Sequence, residues 1–355
     1  MVNCAGRTRS IIGAQTLIDF GVPNPVFALE NGTQGWFLAG LELEHGAGRR
    51  YADAVGNAEL TVLRSHASKF AAACGAPFVA PATAHAWLSD SSRTTYLFDV
   101  RTAEESAASG LPGFVHAPGG ELVQATDQWI GVKGARIVLF DREQVRAPVI
   151  AGWLRQLGHE ACVLDDAAAA VALDWRPAGV FEPTALQPIS VHETAAGLRT
   201  GALEVIDLRA SMAYRKGHIA GARWTTRPRL AAGLVRTGTV AIMADETALA
   251  ALAAIDLAEV GSNDVRVISG GYQAWCDAGL PIEVSADRPA DSDCIDFLFF
   301  THGRHDGDAA VARQYLAWET GLLGQLDAQE RGVFRSVPAN FGRHWPRRRD
   351  VERRG

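Results

Sequence analysis

The feature that most constrains this chain is a pattern it repeats three times: an apolar strand, a short loop, then a helix. The first copy is Met1-Val2-Asn3, a loop over residues 4–10 and a helix through Leu17. The second is Ile137-Val138-Leu139-Phe140, a loop over 141–147 and a helix through Trp153 and Leu154. The third is Val240-Ala241-Ile242-Met243, a loop over 244–250 and a helix through Leu257. The second and third helices end near Gly158 and Gly261, as a helix C-terminus does.

The segments after these helices repeat too. After the first comes Val26-Phe27-Ala28-Leu29, then Asn31-Gly32-Thr33-Gln34-Gly35-Trp36 and Ala39-Gly40-Leu41. After the third comes Val265-Arg266-Val267-Ile268, then Gly270-Gly271-Tyr272-Gln273-Ala274-Trp275 and Ala278-Gly279-Leu280-Pro281. Each reads as a strand, a glycine turn and a helix that packs a tryptophan. The second copy keeps the strand Cys162-Val163-Leu164 but has Asp165, Asp166 and alanines where the others have glycine and Trp. Copies two and three also carry a front half. Tyr96-Leu97-Phe98-Asp99-Val100-Arg101 and Glu204-Val205-Ile206-Asp207-Leu208-Arg209 are apolar strands ending in Asp-x-Arg. Gly113-Phe114-Val115-His116-Ala117-Pro118 and Gly217-His218-Ile219-Ala220-Gly221-Ala222 stand further on. Strands alternating with helices in this way imply a parallel, doubly wound α/β sheet.

Composition narrows the function classes. At 355 residues the chain suits two or three domains of about 100–200 residues, and 48% hydrophobic residues can fill their cores. A net charge of -6 gives no reason to expect nucleic acid as a partner. The five cysteines, Cys4, Cys74, Cys162, Cys276 and Cys294, form no CxxC pair, which points to neither a disulfide framework nor a zinc site. Such usage suits a reducing cytosol. The apolar run at 167–172 is far short of a membrane span and is flanked by Asp165, Asp166 and Asp174; the N-terminus has no apolar signal region.

Strand-Asp-x-Arg, Gly-His-Ile-x-Gly-Ala, a cysteine-type loop, then Gly-Gly-x-x-x-Trp with Ala-Gly-Leu-Pro together resemble the rhodanese domain family. The resemblance runs nearly end to end over 203–283, covers 96–165, and takes in the back half of a domain over 1–43. It implies an α/β fold of tandem rhodanese-like domains, each an open parallel sheet flanked by helices. It also implies an active loop curled around a cysteine at the C-terminal edge of the sheet, where open α/β sheets place their ligands. The organisation expected is the back half of a rhodanese domain with the active loop at 1–45, rhodanese-like domains with inactive loops at 76–175 and 187–285, and a helical extension with a disordered basic tail at 286–355. Because the first copy starts three residues before its loop, a truncated gene product or a fragment of a longer protein with a complete first domain is expected. Residues 1–45 should then lack sheet neighbours and lean on the second domain or its entry helix.

The loop chemistry points to Cys4. A thiol attacks as thiolate and needs surroundings that favour the charge. A cysteine between a strand end and a helix start faces free backbone N–H groups and the positive end of the helix dipole, and Arg7 and Arg9 add cationic charge. Cys4 is therefore the expected nucleophile, and Ala5, Gly6, Arg7, Thr8, Arg9 and Ser10 the expected donor-binding residues. The resemblance implies a sulfurtransferase that moves sulfane sulfur through a cysteine persulfide, from thiosulfate or a similar donor to a thiol or cyanide acceptor. No metal and no organic cofactor is called for. A protein thiol is a further acceptor class; nucleic acid and membrane are not partners, and the cytoplasm is the expected location. Related phosphatases have five residues between Cys and Arg, whereas four separate Cys4 from Arg9, the shorter sulfurtransferase loop. With Ala5 in the second position, Gly6 in the third and Arg7 in the fourth, the loop matches neither the usual thiosulfate nor the usual mercaptopyruvate pattern; two arginines favour the compact thiosulfate dianion.

At the cysteine position the other copies carry Asp141 and Ala244, which cannot carry sulfane sulfur. Arg146 aligns with Arg9 and reads as a solvated surface arginine, and His218 as a turn-packing residue. A non-catalytic rhodanese-fold scaffold or sulfur-binding regulatory module is the reading from a different class. Residues 46–57 and 176–190 read as linkers, and 58–73 as the entry helix to the second domain. Residues 297–326 read as helical, with Tyr315, Leu316, Trp318, Leu322 and Leu323 at packing intervals. His302 and His305 lack a third clear ligand for a metal. The six arginines among the last fifteen residues read as a solvated tail.

Overall fold

In the computed structural model the described residues are 1–46, 48, 56–176, 184–230, 238–297, 299 and 307–335. Most of the linker read over 46–57, Pro177 and Pro183 of the next linker, His302, His305 and the arginine-rich tail lie outside them. The chain divides into two compact units, Met1–Val180 with Phe300–Gly355, and Phe181–Phe299.

The first unit is built on a five-stranded parallel sheet of β1 (Phe78–Val79), β2 (Thr95–Asp99), β3 (Val115–His116), β4 (Arg136–Phe140) and β5 (Glu160–Leu164), in the order β1-β5-β4-β2-β3. Helices cover both faces, so the central strand is apolar throughout. Along β4, Ile137 and Leu139 enter one core with Phe98, Leu122, Leu154 and Val163, while Val138 and Phe140 enter the other with Leu97, Leu164 and Trp175. The second unit repeats the topology with β6 (Gln187–Ile189), β7 (Leu203–Asp207), β8 (His218–Ile219), β9 (Arg223–Trp224), β10 (Thr239–Met243) and β11 (Val265–Ile268), the parallel order being β6-β11-β10-β7-β9. There β8 pairs antiparallel with β12 (Ile282–Glu283).

The Asp-x-Arg ends of β2 and β7 are buried ion pairs. Asp99 Oδ1 accepts from the Arg101 backbone N–H at 3.1 Å and from Nε at 2.9 Å, and Oδ2 accepts from Nη2 at 2.6 Å. Asp207 and Arg209 repeat this, and Arg209 also donates to the Gly217 carbonyl at 3.0 Å. Each strand end is thereby tied to the turn beyond it, with the charges paired as burial requires. His218 is buried, stacks on Tyr214 with ring centroids 3.7 Å apart, and places Nδ1 2.8 Å from the Tyr214 carbonyl, which is a packing role.

The first copy forms no sheet of its own among the described residues. Val2 makes a single parallel bridge to Ala28. Its helix α1 (Thr8–Asp19) and the shorter α2 (Gly32–Leu38) belong to the first unit, as does the entry helix α3 (Asn57–Ala73). Trp153 Nε1 donates to Thr16 Oγ1 at 2.8 Å, and Phe20 stacks at a tilt on His66 of α3 with centroids 5.5 Å apart. Phe70 of α3 closes this small core against Val149, and a Cβ at Gly152 would lie 2.5 Å from the Phe70 ring, so the helix crossing depends on that glycine.

Two expectations about the helices are corrected. The helices after the three loops start at Thr8, Arg146 and Thr247, three, two and four residues earlier than the sequence suggested, so most of each loop's second half is already the first turn of its helix. The C-terminal helix is Ala309–Gln325, capped by the Asp308 carboxylate, rather than extending back to 297. Without the glycine-and-Trp segment, the second copy still buries a tryptophan: Trp175, fully enclosed beyond the Ala167–Ala170 turn, packs with Val138 and Phe140. No helix among the described residues is long and apolar enough to cross a membrane.

Candidate active site

The chain reaches Cys4 directly from the bridge. Val2 N–H donates to the Phe27 carbonyl at 2.7 Å, and Leu29 N–H donates to the Val2 carbonyl at 2.8 Å. The loop is then gripped from below by α2. Thr33 N–H donates to the Cys4 carbonyl at 2.9 Å and Gln34 N–H to the Ala5 carbonyl at 3.0 Å. These are N–H groups of a helix start, which need acceptors from outside the helix. The contact needs glycine at position 32, where φ is +60° and a Cβ would fall 2.2 Å from the Cys4 carbonyl oxygen and 2.4 Å from that of Gly6. Its counterpart Gly271 has φ +62° but open space around a Cβ, so the clamp belongs to the first copy.

In this arrangement Cys4, Ala5 and Arg7 are half-buried, Gly6 is buried and Arg9 is exposed. Thr8, Arg9 and Ser10 form the first turn of α1 rather than the end of a loop. Ser10 is buried and its hydroxyl donates to the Arg7 carbonyl at 2.8 Å, a structural bond within the turn. Beside the loop lies a cavity of about 300 Å³ lined by Arg7, Ile11, Leu29, Glu30, Asn31 and Thr320. Arg7 therefore reaches the cavity while Arg9 is not among its lining residues.

Two residues went unnoticed in the sequence. Helix α1 has no side-chain cap and no acidic residue in its first turn. Glu319, on the C-terminal helix, supplies the missing acceptor: its Oε1 accepts from the Thr8 N–H at 3.1 Å and also from the Thr8 hydroxyl. Its other oxygen, Oε2, is buried without a hydrogen-bond partner. Over Gly6, a Cβ would lie 3.1 Å from this Oε2 and 3.2 Å from Tyr315 Cε1, so the two side chains, one helical turn apart, roof the loop. Their i, i+4 spacing was visible in the sequence, but nothing local says what that face meets. The second residue is Gln34, which is 4% exposed and has neither side-chain oxygen nor nitrogen paired. Leaving such an amide unpaired costs on the order of 1–3 kcal/mol. In the repeat, Gln34 corresponds to the exposed Gln273, and the 40% exposed Trp36 to the 1% exposed Trp275. The short helix α2 thus buries the face opposite to the one its counterpart buries, because among the described residues the first copy has no sheet of its own against which to pack the indole. Trp36 Nε1 instead donates to the Glu42 carbonyl at 2.8 Å.

The second loop makes the same strand-to-helix turn, one residue longer and with Gln144 at φ +54°, but carries its own anion. Asp141 is buried; Oδ1 accepts from Glu143 N–H at 3.1 Å, and Oδ2 from Val145 and Arg146 N–H at 2.9 and 2.6 Å. Arg146 is not a solvated residue. It forms a two-pronged pair with Glu105 at 2.6 and 2.7 Å, and these hydrogen bonds hold the Glu105 carboxyl down at about 2. In the third loop Ala244 is half-buried, and the helix that follows has no side-chain cap. Among the other cysteines, burial pushes the Cys162 thiol up to about 12 and the Cys74 thiol to about 11, the latter helped by Asp19, which keeps both as thiols at neutral pH. Cys294 is buried with its sulfur 3.3 Å from the Ala290 carbonyl.

The model of the rhodanese-like domain matches residues 80–172 and 190–278, together just over half of the chain. The chain belongs to the rhodanese-like domain family. Its two matched segments contain the four strands of each parallel sheet other than the edge strands β1 and β6, and the Cys4 loop lies outside both. The crystal structure of thiosulfate sulfurtransferase from Pseudomonas aeruginosa is 37% identical, with a TM-score of 0.71 and a match covering 94% of this chain and 64% of that one. This rhodanese-like chain thus spans a little under two thirds of that protein's length. The solution structure of the rhodanese-like domain of the Alr3790 protein from Anabaena sp. is 25% identical, covering 33% of this chain and 92% of that one with a TM-score of 0.25. A rhodanese-related protein from Thermoplasma volcanium is 20% identical, covering 28% and 99%, also with a TM-score of 0.25. No curated protein matches the chain.

Proposed function

We propose that this rhodanese-like chain is a sulfurtransferase that carries sulfane sulfur on Cys4. The observation that supports it most is the position of Cys4. It is a half-buried thiol at the turn from the Val2 bridge to the start of α1, where the two matched domains have the sulfur-incompetent Asp141 and Ala244. In the proposed reaction the Cys4 thiolate attacks the outer sulfur of thiosulfate. A Cys4–sulfur bond forms, the sulfur–sulfur bond of thiosulfate breaks, and sulfite leaves with the bonding electron pair. Cyanide or a thiolate then attacks the outer persulfide sulfur, takes it as thiocyanate or a persulfide, and returns the Cys4 thiolate. Arg7 at the cavity and the backbone N–H groups of the loop would hold the anionic donor and leaving group, with Arg9 adding charge at longer range. No cofactor enters these steps, and the balance closes without an oxidant. Thiosulfate as donor is supported by the name of the Pseudomonas aeruginosa relative and by the two nearby arginines. In the same reading residues 1–45 are the back half of an active rhodanese domain that works in the cytoplasm.

Incubation with thiosulfate followed by intact-mass analysis should add one sulfur to the native chain and none to Cys4→Ser. Serine at Cys162 or Cys276 should leave that loading and thiosulfate:cyanide transfer intact. Sulfur added to the Cys4→Ser chain would sink the assignment. For the domains around Asp141 and Ala244 the second reading, a non-catalytic scaffold, applies, since neither loop holds a nucleophile at the cysteine position.

A further inference from the structure

The Cys4 loop is roofed by a residue 311 positions further along the chain than the Thr8 it binds. We propose that Glu319 is an internal, displaceable anion seated where the donor's anionic end binds, so that an anionic donor must compete with it for the loop. The proposal rests on the reading of Cys4 as the sulfur carrier.

The anion seat is seen twice in this molecule. Thr8 is the first residue of its helix, as Arg146 is of the helix after the second loop. In the second copy the Arg146 N–H donates to Asp141 Oδ2; in the first the Thr8 N–H donates to Glu319 Oε1. One backbone position therefore binds a carboxylate in both loops, once from the loop itself and once from a distant helix. The quality of the two fits differs. Both Asp141 oxygens are hydrogen-bonded, by three N–H groups in all. Glu319 is held only through Oε1, by the two donors of Thr8, and its Oε2 is buried with no partner. A charged oxygen taken out of water without a partner weakens the docked state, so this anion exchanges where Asp141 cannot. The cavity beside the loop, lined by Arg7 and Glu30 and by Thr320, the neighbour of Glu319, offers an incoming anion one cationic contact next to the seat. A plain helix cap would account for the Thr8 bonds, but it predicts a change in stability alone, not a charge-selective change at Cys4.

The full chain is alkylated with iodoacetate, an anion, and in parallel with iodoacetamide, its neutral analogue. Rates are followed at the Cys4 peptide by mass spectrometry, with half-buried Cys276 in the other unit as the internal reference. Glu319→Gln keeps the shape and the acceptor and removes the charge. It should raise the iodoacetate rate at Cys4 about tenfold relative to iodoacetamide, the order of one charge-assisted hydrogen bond. Thr8→Val, which removes one of the two donors that hold Glu319, should move the ratio the same way by a smaller factor, and melting curves establish that both variants fold. If Cys4 reacts faster than Cys276 but the ratio stays fixed in both variants, the role of Glu319 is overturned and the Cys4 reading survives. If Cys4 reacts no faster than Cys276 in the native chain and in both variants, the two fall together.

Discussion

The loops around Cys4 and Asp141 make the same strand-to-helix turn with opposite electrostatic solutions. Each leads from a strand position into a helix whose first N–H groups need an acceptor. The Asp141 loop answers locally, with a buried carboxylate two to five residues from its donors. The Cys4 loop has no such group, and its acceptor is Glu319 on another helix. A loop that fills itself with a short carboxylate has no room and no charge left for an anionic donor. One that takes its carboxylate from outside keeps the cysteine position open for chemistry. Under the proposed reading of Cys4, the absence of a nucleophile in the second copy is also a gain of structure, since Asp141 caps the helix start with three N–H bonds.

The largest effect that would sharpen this contrast is at Asp141 itself. Asp141→Ala should lower the stability of the first unit by about 3 kcal/mol, through the loss of three bonds to a charged acceptor. Urea melts should show the drop while sulfur loading on Cys4 persists. A melt indistinguishable from the native one would mean that the second loop is not held by its carboxylate. Next is Gly32→Ala, where a Cβ meets the Cys4 and Gly6 carbonyls at a positive φ; the cost should be at least about 2 kcal/mol. Gly271→Ala, at similar φ but in open space, should cost about 1 kcal/mol. Equal costs would remove the claim that α2 clamps the first loop. The smallest effect concerns Glu105, whose carboxyl is held at about 2 in the fold, below its ordinary 4.5, first by the Arg146 hydrogen bonds. A depressed carboxylate stabilises above the unfolded value and loses that contribution as pH falls through the folded one. The stability gap between the native chain and Glu105→Gln should therefore be widest above about pH 5 and close toward about pH 2. Because the two side chains remain 33% and 40% exposed and solvent screens the pair, the gap itself should be under about 1 kcal/mol. A gap that does not change with pH would show that the pair contributes nothing to folding.

Much of this protein was legible in its residues. The repeat and the alternation of apolar strands with helices led to two parallel sheets of the same order, because a strand buried on both faces must be apolar along its whole length. The Asp-x-Arg ends became buried pairs, since two residues of separation at a strand end bring carboxylate and guanidinium together. The replacement of cysteine by Asp141 and Ala244 was plain from the alignment of the copies. Helix starts were read late, as the N-cap residues themselves, Arg7, Val145 and Glu246, make no side-chain capping bond that would mark the start.

The faces of the elements were decided only by what surrounds them. Asn31-Gly32-Thr33-Gln34-Gly35-Trp36 and Gly270-Gly271-Tyr272-Gln273-Ala274-Trp275 predict the same helix, and both helices form, at Gly32–Leu38 and Gly271–Asp277. One buries Gln34 and exposes Trp36, and the other buries Trp275 and exposes Gln273. Backbone preference acts over a few residues and is satisfied equally by either choice. Burial depends on the partner surface, which for Trp275 is the core of its own sheet and which the first copy lacks. Glu319 obeys the same rule: its charge and its helix belong to the sequence, but its place over the Cys4 loop exists only because the tertiary fold brings the C-terminal helix to the uncapped start of α1.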